Sequence, residues 1–212
     1  MPSKGTASAK ELLAQALHLA VAAAMLAACS PAAGSEADEI AAYEYSTSAA
    51  DEILFLFSTG GMGRLAPQYR LYGDGRLVRE IVNQYDRQPF KTSQVELAPA
   101  DVAALLDLVV ATHLPDLDLL DMRSALEALG DAARYREDGE TLVLKLRFDS
   151  YERPDGTIEA PFKQRVSMVS PALKAELLPD LPEPAGLLSL REALDSYFAV
   201  SAAEAIFGKR DE

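Results

Sequence analysis

The sequence predicts an α+β domain: a mostly antiparallel sheet of about five to six strands, with helices packed on one face. Three observations predict it. Short β-branched and aromatic runs recur, bounded by turn residues. Two of the turns, Gly73-Asp74-Gly75 and Pro154-Asp155-Gly156, carry hairpin or tight-turn chemistry. Proline-led stretches rich in Ala and Leu follow the strands with helical spacing.

Glu52 to Phe57, EILFLF, reads as the first main strand. Gln68 to Tyr72 and Arg76 to Val82 flank Gly73-Asp74-Gly75 as a hairpin, and Phe90 to Leu97 reads as another strand. A helix is expected from Pro99 to about His113, with Val102, Leu105, Leu106, Val109 and Val110 as its apolar stripe. A second is expected over Asp121 to Tyr135. Thr141 to Ser150 alternates Leu142, Leu144, Leu146 and Phe148 with Val143, Lys145 and Arg147. Phe162 to Val169 is its expected partner. A short helix opens at Pro171 and a longer one spans about Leu187 to Ala203, with Pro179, Pro182 and Pro184 between them. Pro99-Ala-Asp-Val-Ala-Ala-Leu-Leu106 is faintly similar to Pro171-Ala-Leu-Lys-Ala-Glu-Leu-Leu178. Each follows an expected hairpin, so two ββα-like halves are one reading; ordinary helix composition is the other.

Gly60-Gly-Met-Gly-Arg-Leu-Ala66 scans as G-x-G-x-x-A. A dinucleotide loop needs a strand before the glycines and a helix after them, whose amides receive the pyrophosphate. Here Pro67 and another strand follow, and a Walker lysine is absent. The stretch is read instead as a loop between antiparallel strands, from which Arg64 projects.

The N-terminus has a polar, basic start (Lys4, Lys10), then an apolar core from Leu12 to Ala28, ending Leu26-Ala27-Ala28-Cys29-Ser30. This is the layout of an export signal, and the core is shorter than the roughly 20 residues of a membrane span. Leu26-Ala27-Ala28-Cys29 resembles the lipobox of bacterial lipoproteins. That resemblance, confined to residues 1–29, implies cleavage before Cys29 and lipidation of its thiol. It also implies exported protein held on the cell envelope by its lipid, at the outer membrane of a Gram-negative host because Ser30 rather than Asp follows. The expected organisation is a signal peptide over residues 1–28, Cys29 and a flexible tether to residue 50 in which Tyr43 to Thr47 could form a short strand, one domain over 51–208, and a charged tail over 209–212.

The chain has 20 basic and 33 acidic residues, a net charge of −13. Removal of Lys4, Lys10 and Glu11 with the signal leaves 18 and 32, a net −14. Such acidity argues against nucleic acid as a partner. Cys29 is the one cysteine, so no disulfide forms within the chain.

Catalytic patterns are sparse. His113 is the one histidine beyond the signal segment and falls at a helix C-terminus, where capping explains it. No Gly-x-Ser-x-Gly elbow is present. Asp116, Asp118 and Asp121 could serve a hard cation, form a solvated acidic turn, or, for Asp121, cap the next helix. No cofactor or metal is therefore expected.

The remaining constellation is cationic. Alternation sets Lys145 and Arg147, Lys163 and Arg165, and Arg70 opposite apolar neighbours on their strands. In one antiparallel sheet they would share the solvated face. That face could bind an acidic envelope protein or an anionic glycan, or its cations could be neutralised by Glu80, Glu96 or Glu159. The leading expectation is a non-enzymatic, membrane-tethered binding module. The alternative is a hydrolase using carboxylates such as Asp74 with Glu80 or Asp149 with Glu152.

Overall fold

The computed structural model describes residues 43–60, 65–86, 88–130 and 139–207. Cys29, the signal segment, Gly61, Gly63, Arg64 and the charged tail lie outside them. Strands β1 (Tyr43–Glu44), β2 (Glu52–Gly60), β3 (Leu65–Tyr72), β4 (Arg76–Asn83) and β5 (Pro89–Glu96) lead into helix α1 (Pro99–Ala111). A 3-10 turn over Leu114–Asp116 and helix α2 (Leu119–Ala128) follow. Then come β6 (Glu140–Phe148), β7 (Ser150–Glu152), β8 (Ile158–Glu159), β9 (Phe162–Val169), α3 (Pro171–Leu177) and α4 (Pro182–Phe207).

The architecture is α+β. The main sheet has six strands, all antiparallel, in the order β5-β4-β3-β2-β6-β9. A small antiparallel sheet, β1-β7-β8, accompanies it. The expected hairpins form: β3 pairs with β4 across Gly75 (φ 91), and β6 pairs with β9 from Thr141↔Val169 to Phe148↔Phe162. The octapeptides at Pro99 and Pro171 each open a helix after an antiparallel pair, at opposite edges of the sheet.

Helices cover one face. Leu54 and Leu56 of β2, Tyr69 and Leu71 of β3, and Leu142, Leu144 and Leu146 of β6 form one buried cluster with α1 and α4. The whole predicted stripe of α1 is buried in it, together with Leu187, Leu190, Leu194 and Phe198 of α4. Burial of this kind contributes about 25 cal/mol per Å2 of apolar surface, and directs the fold more than helix propensity does. Hydrogen bonds also tie the layers: Tyr69 Oη donates to Asp195 of α4 at 2.6 Å, and Tyr151 Oη to Asp116 at 2.5 Å. Among the described residues no helix is long and apolar enough to cross a membrane.

Several boundaries differ from expectation, for local reasons. Helix α2 starts at Leu119, because Asp118 rather than Asp121 is its cap and accepts from the Leu120 amide at 2.7 Å. Helix α4 starts at Pro182 rather than near Leu187. Pro182 and Pro184 sit in its first turn, where no amide donor is required, instead of separating two helices. The flexible tether expected to reach residue 50 is folded from Tyr43. The Tyr43 ring stacks on Phe148 at 5.3 Å, its hydroxyl donates to Asp107 at 2.7 Å, and Arg76 Nη2 donates to the Ala49 carbonyl at 3.0 Å. A Cβ at Gly73 would overlap the Ser46 carbonyl oxygen, so only glycine lets this segment lie so close.

A candidate binding face on the open side of the sheet

The face away from the helices carries the second set of alternating side chains. On β6 these are Val143, Lys145 and Arg147; on β9 they are Lys163 and Arg165. Register sets Lys145 directly opposite Arg165, and Arg147 directly opposite Lys163. Like charges directly across an antiparallel pair destabilise it. Two such pairs stand side by side, on a chain with a net charge of −13.

The structure separates these cations by how they are satisfied. Arg70 of β3 is neutralised: its guanidinium meets Glu52 at 2.7 Å and Glu80 at 3.7 Å. Arg147 reaches Asp51 at 3.3 Å from a half-exposed position. Among the described residues no carboxylate pairs with Lys145, Lys163 or Arg165. Of the three neutralising residues expected, Glu80 serves Arg70 and Glu159 serves Arg153 at 2.7 Å. Glu96 accepts instead from Gln94, at 2.8 Å.

Aromatic rings lie among these charges. Phe55 is the cross-strand neighbour of both Arg70 and Lys145. Its ring carries the Arg70 guanidinium at 4.3 Å and the Lys145 ammonium at 5.1 Å, and it stacks with Phe57 at 5.0 Å. Cations over ring faces gain roughly 0.5–1 kcal/mol at exposed sites. Lys145 thus lies over the rings while remaining exposed, and Lys163 and Arg165 are exposed on β9.

Two depressions mark this face. A shallow one of about 390 Å3 lies between Glu52, Lys145, Arg147, Lys163 and Arg165. A more enclosed one of about 400 Å3 is lined by Phe55, Phe57, Thr59, Ala66, Gln68, Arg70, Val82, Gln84 and Lys145. The second has a backbone origin. Pairing of β2 with β3 stops at Phe57↔Gln68, one residue from Pro67. Proline has no amide hydrogen for a ladder. Beyond that point β2 continues along β6 and β3 along β4, leaving an opening between them. Gln84 Nε2 spans it to the Gly60 carbonyl at 3.2 Å.

The other candidates take structural roles. The glycine stretch links antiparallel strands, with β3 where a nucleotide loop needs a helix. His113 adopts a left-handed conformation (φ 54), and its amide donates to the Val110 carbonyl at 2.9 Å, closing α1. Asp116 is engaged by Tyr151 and, at 3.1 Å, by Arg153, while Asp118 caps α2. Burial, then the Asp116 carboxylate, pushes the Tyr151 hydroxyl well above the usual tyrosine range. Among the described residues no three His, Cys, Asp or Glu side chains gather as a metal site. Asp74 caps the β3–β4 turn at Arg76, whereas Glu80 lies four positions beyond Arg76, about 13 Å further along β4. Carboxylate pairs of glycosidases lie roughly 5–9.5 Å apart. Asp149 and Glu152 are both exposed.

The aromatic rings and the opening at Pro67 extend the site beyond the sequence reading. A signal for the rings was present: EILFLF is apolar at every position after Glu52, so one of its two faces had to carry rings away from the helices. No protein-family model matches the chain, and no curated protein matches it.

Proposed function

We propose that the protein is a non-enzymatic binding module of the cell envelope, tethered through lipid on Cys29, whose open sheet face receives an acidic partner. An acidic segment of an envelope protein and an anionic glycan share the chemistry required: carboxylates or sulfates spaced to meet neighbouring cations. One observation carries the reading. Lys145, Lys163 and Arg165 stand clustered in like-charged register and, among the described residues, without carboxylate partners, on a chain with acidic residues in excess. A merely solvated face in such a chain has carboxylates enough to neutralise every cation, as Arg70 is neutralised. Exposed cations left in opposition raise the local potential and steer anions toward the face.

The test compares the native protein with a variant carrying Lys145→Glu, Arg147→Glu, Lys163→Glu and Arg165→Glu, once circular dichroism shows that both fold. Binding to poly-L-glutamate and to heparin is measured at low and high salt, beside cross-linking capture from envelope fractions. The reading predicts salt-sensitive polyanion binding and a captured partner, both lost in the variant. Equal binding by the two proteins would refute it. The Cys29 tether is tested separately, by metabolic labelling with an alkyne fatty acid and by loss of label in Cys29→Ser.

A further inference from the structure

We infer that the opening beside Pro67 is a binding pocket for a small organic monoanion with an apolar body, such as an aryl or short alkyl carboxylate. The inference rests on the open face being the binding surface, and adds a distinct ligand class to it. Three features of the pocket agree. Its volume, about 400 Å3, falls within the usual small-ligand range. Its walls mix two chemistries: the half-buried Phe57 ring offers apolar surface, backed by the buried Phe55, Ala66 and Val82, while Gln68, Gln84 and Thr59 offer hydrogen-bonding groups. Its charge is selective. Of the two cations lining it among the described residues, Arg70 is already held by Glu52 and Glu80, and no described carboxylate pairs with Lys145.

One unneutralised ammonium above an aromatic floor sets the ligand's form. A single carboxylate beside Lys145 completes that charge, and the attached ring or alkyl chain packs on the exposed part of the Phe57 ring. An uncharged analogue leaves the ammonium unpaired. A small hydrophilic anion leaves the floor wet. The pocket is also built into the backbone. The β2–β3 ladder ends beside Pro67, which cannot extend it, and the Gln84 side chain crosses the opening beyond that end.

The experiment titrates the full chain with 4-phenylbutyrate, 4-phenylbutanamide and acetate, followed by 1H–15N chemical shifts. The expected result is saturable shifts clustered at Phe57, Ala66, Gln68 and Lys145 with 4-phenylbutyrate, binding at least about tenfold weaker for the amide, and none for acetate. Lys145→Gln should reduce 4-phenylbutyrate binding to the level of the amide, and Phe57→Ser should weaken acid and amide alike. Should Phe57→Ser fail to fold, Lys145→Gln, an exposed change, still decides. No saturable shifts up to about 10 mM, shifts centred elsewhere, or equal binding of acid and amide would overturn the inference. Poly-L-glutamate is titrated in parallel. If it binds through Lys163 and Arg165 while 4-phenylbutyrate does not, the pocket inference fails alone; if neither binds, both fail.

Discussion

Arg165→Glu should stabilise the protein, the reverse of what most substitutions do. In the native chain Lys145 and Arg165 face each other across β6 and β9. Like charges in that position cost, and opposite charges gain, roughly 0.2–1 kcal/mol each. Replacing Arg165 removes the first effect and adds the second, offset in part by side-chain ordering and solvent screening of exposed groups. The net expectation is about 1 kcal/mol, or a rise in Tm of about 2–4 °C for a domain of this size. Salt supplies the control. At about 1 M ionic strength the screening length is roughly 3 Å, shorter than the separation of facing side chains. The native protein should therefore gain stability with added NaCl and the variant lose it, so that their melting curves converge. Differential scanning calorimetry at low and high salt reads both effects. A lower Tm for the variant at low salt, or a Tm difference that salt leaves unchanged, would refute the premise that these cations repel one another. The same substitution should weaken polyanion binding, giving a face that is more stable and less able to bind.

Other perturbations probe the frame. Leu144→Ala empties a fully buried site at the centre of β6 and should cost about 2–5 kcal/mol in urea unfolding; a loss under 1 kcal/mol would mean the helix layer closes over the gap. Tyr69→Phe should cost about 1–2 kcal/mol by removing the hydroxyl that donates to Asp195. Burial, then Asp195, holds that hydroxyl well above the usual tyrosine range in the folded protein. Its contribution is fully present below about pH 10 and is lost as pH rises through the folded-state value. Tyr69→Phe should therefore flatten the alkaline fall in stability, and an unchanged slope above pH 10 would count against the assignment. Gly73→Ala drives a methyl group into the Ser46 carbonyl and should speed amide exchange over residues 43–50, leaving β6 protected; uniform loss of protection would show that the segment and the sheet melt as one unit.

Much of the fold was legible because its signals are local. Gly73-Asp74-Gly75 names a hairpin by backbone conformation alone, and the period of Val102, Leu105, Leu106, Val109 and Val110 names a helix face. The cationic residues were legible for the same reason: alternation on β6 and β9 puts them on one face whatever the rest of the chain does. Their pairing was not. Whether Arg70 meets Glu80, or Lys145 meets rings and no described carboxylate, depends on register between strands far apart in sequence. Pro67 shows the limit most clearly. Its neighbourhood read as a strand start, but that the proline ends one ladder and opens a pocket depends on which strand lies alongside. Tyr43 to Ala50 was read as the end of a tether because its composition is small and polar, with a short strand possible around Tyr43 to Thr47, where β1 forms over Tyr43–Glu44. Its attachment comes from one ring on Phe148 and from the absence of a side chain at Gly73, and neither follows from composition.

That attachment has a mechanical consequence. Strand β1 meets β7 over only Tyr43↔Tyr151 and Glu44↔Ser150. A pull applied at the N-terminal end of β1 falls first on these two pairs. Under the proposed anchoring at Cys29, tension between membrane and bound partner would reach the domain along this route. Tyr43 to Ala50 would peel first, releasing about 27 Å of chain at roughly 3.4 Å per residue. Only then would force arrive at β2, which is held on both sides by β3 and β6. The segment would act as an extensible leader, yielding at low force and sparing the open face behind it.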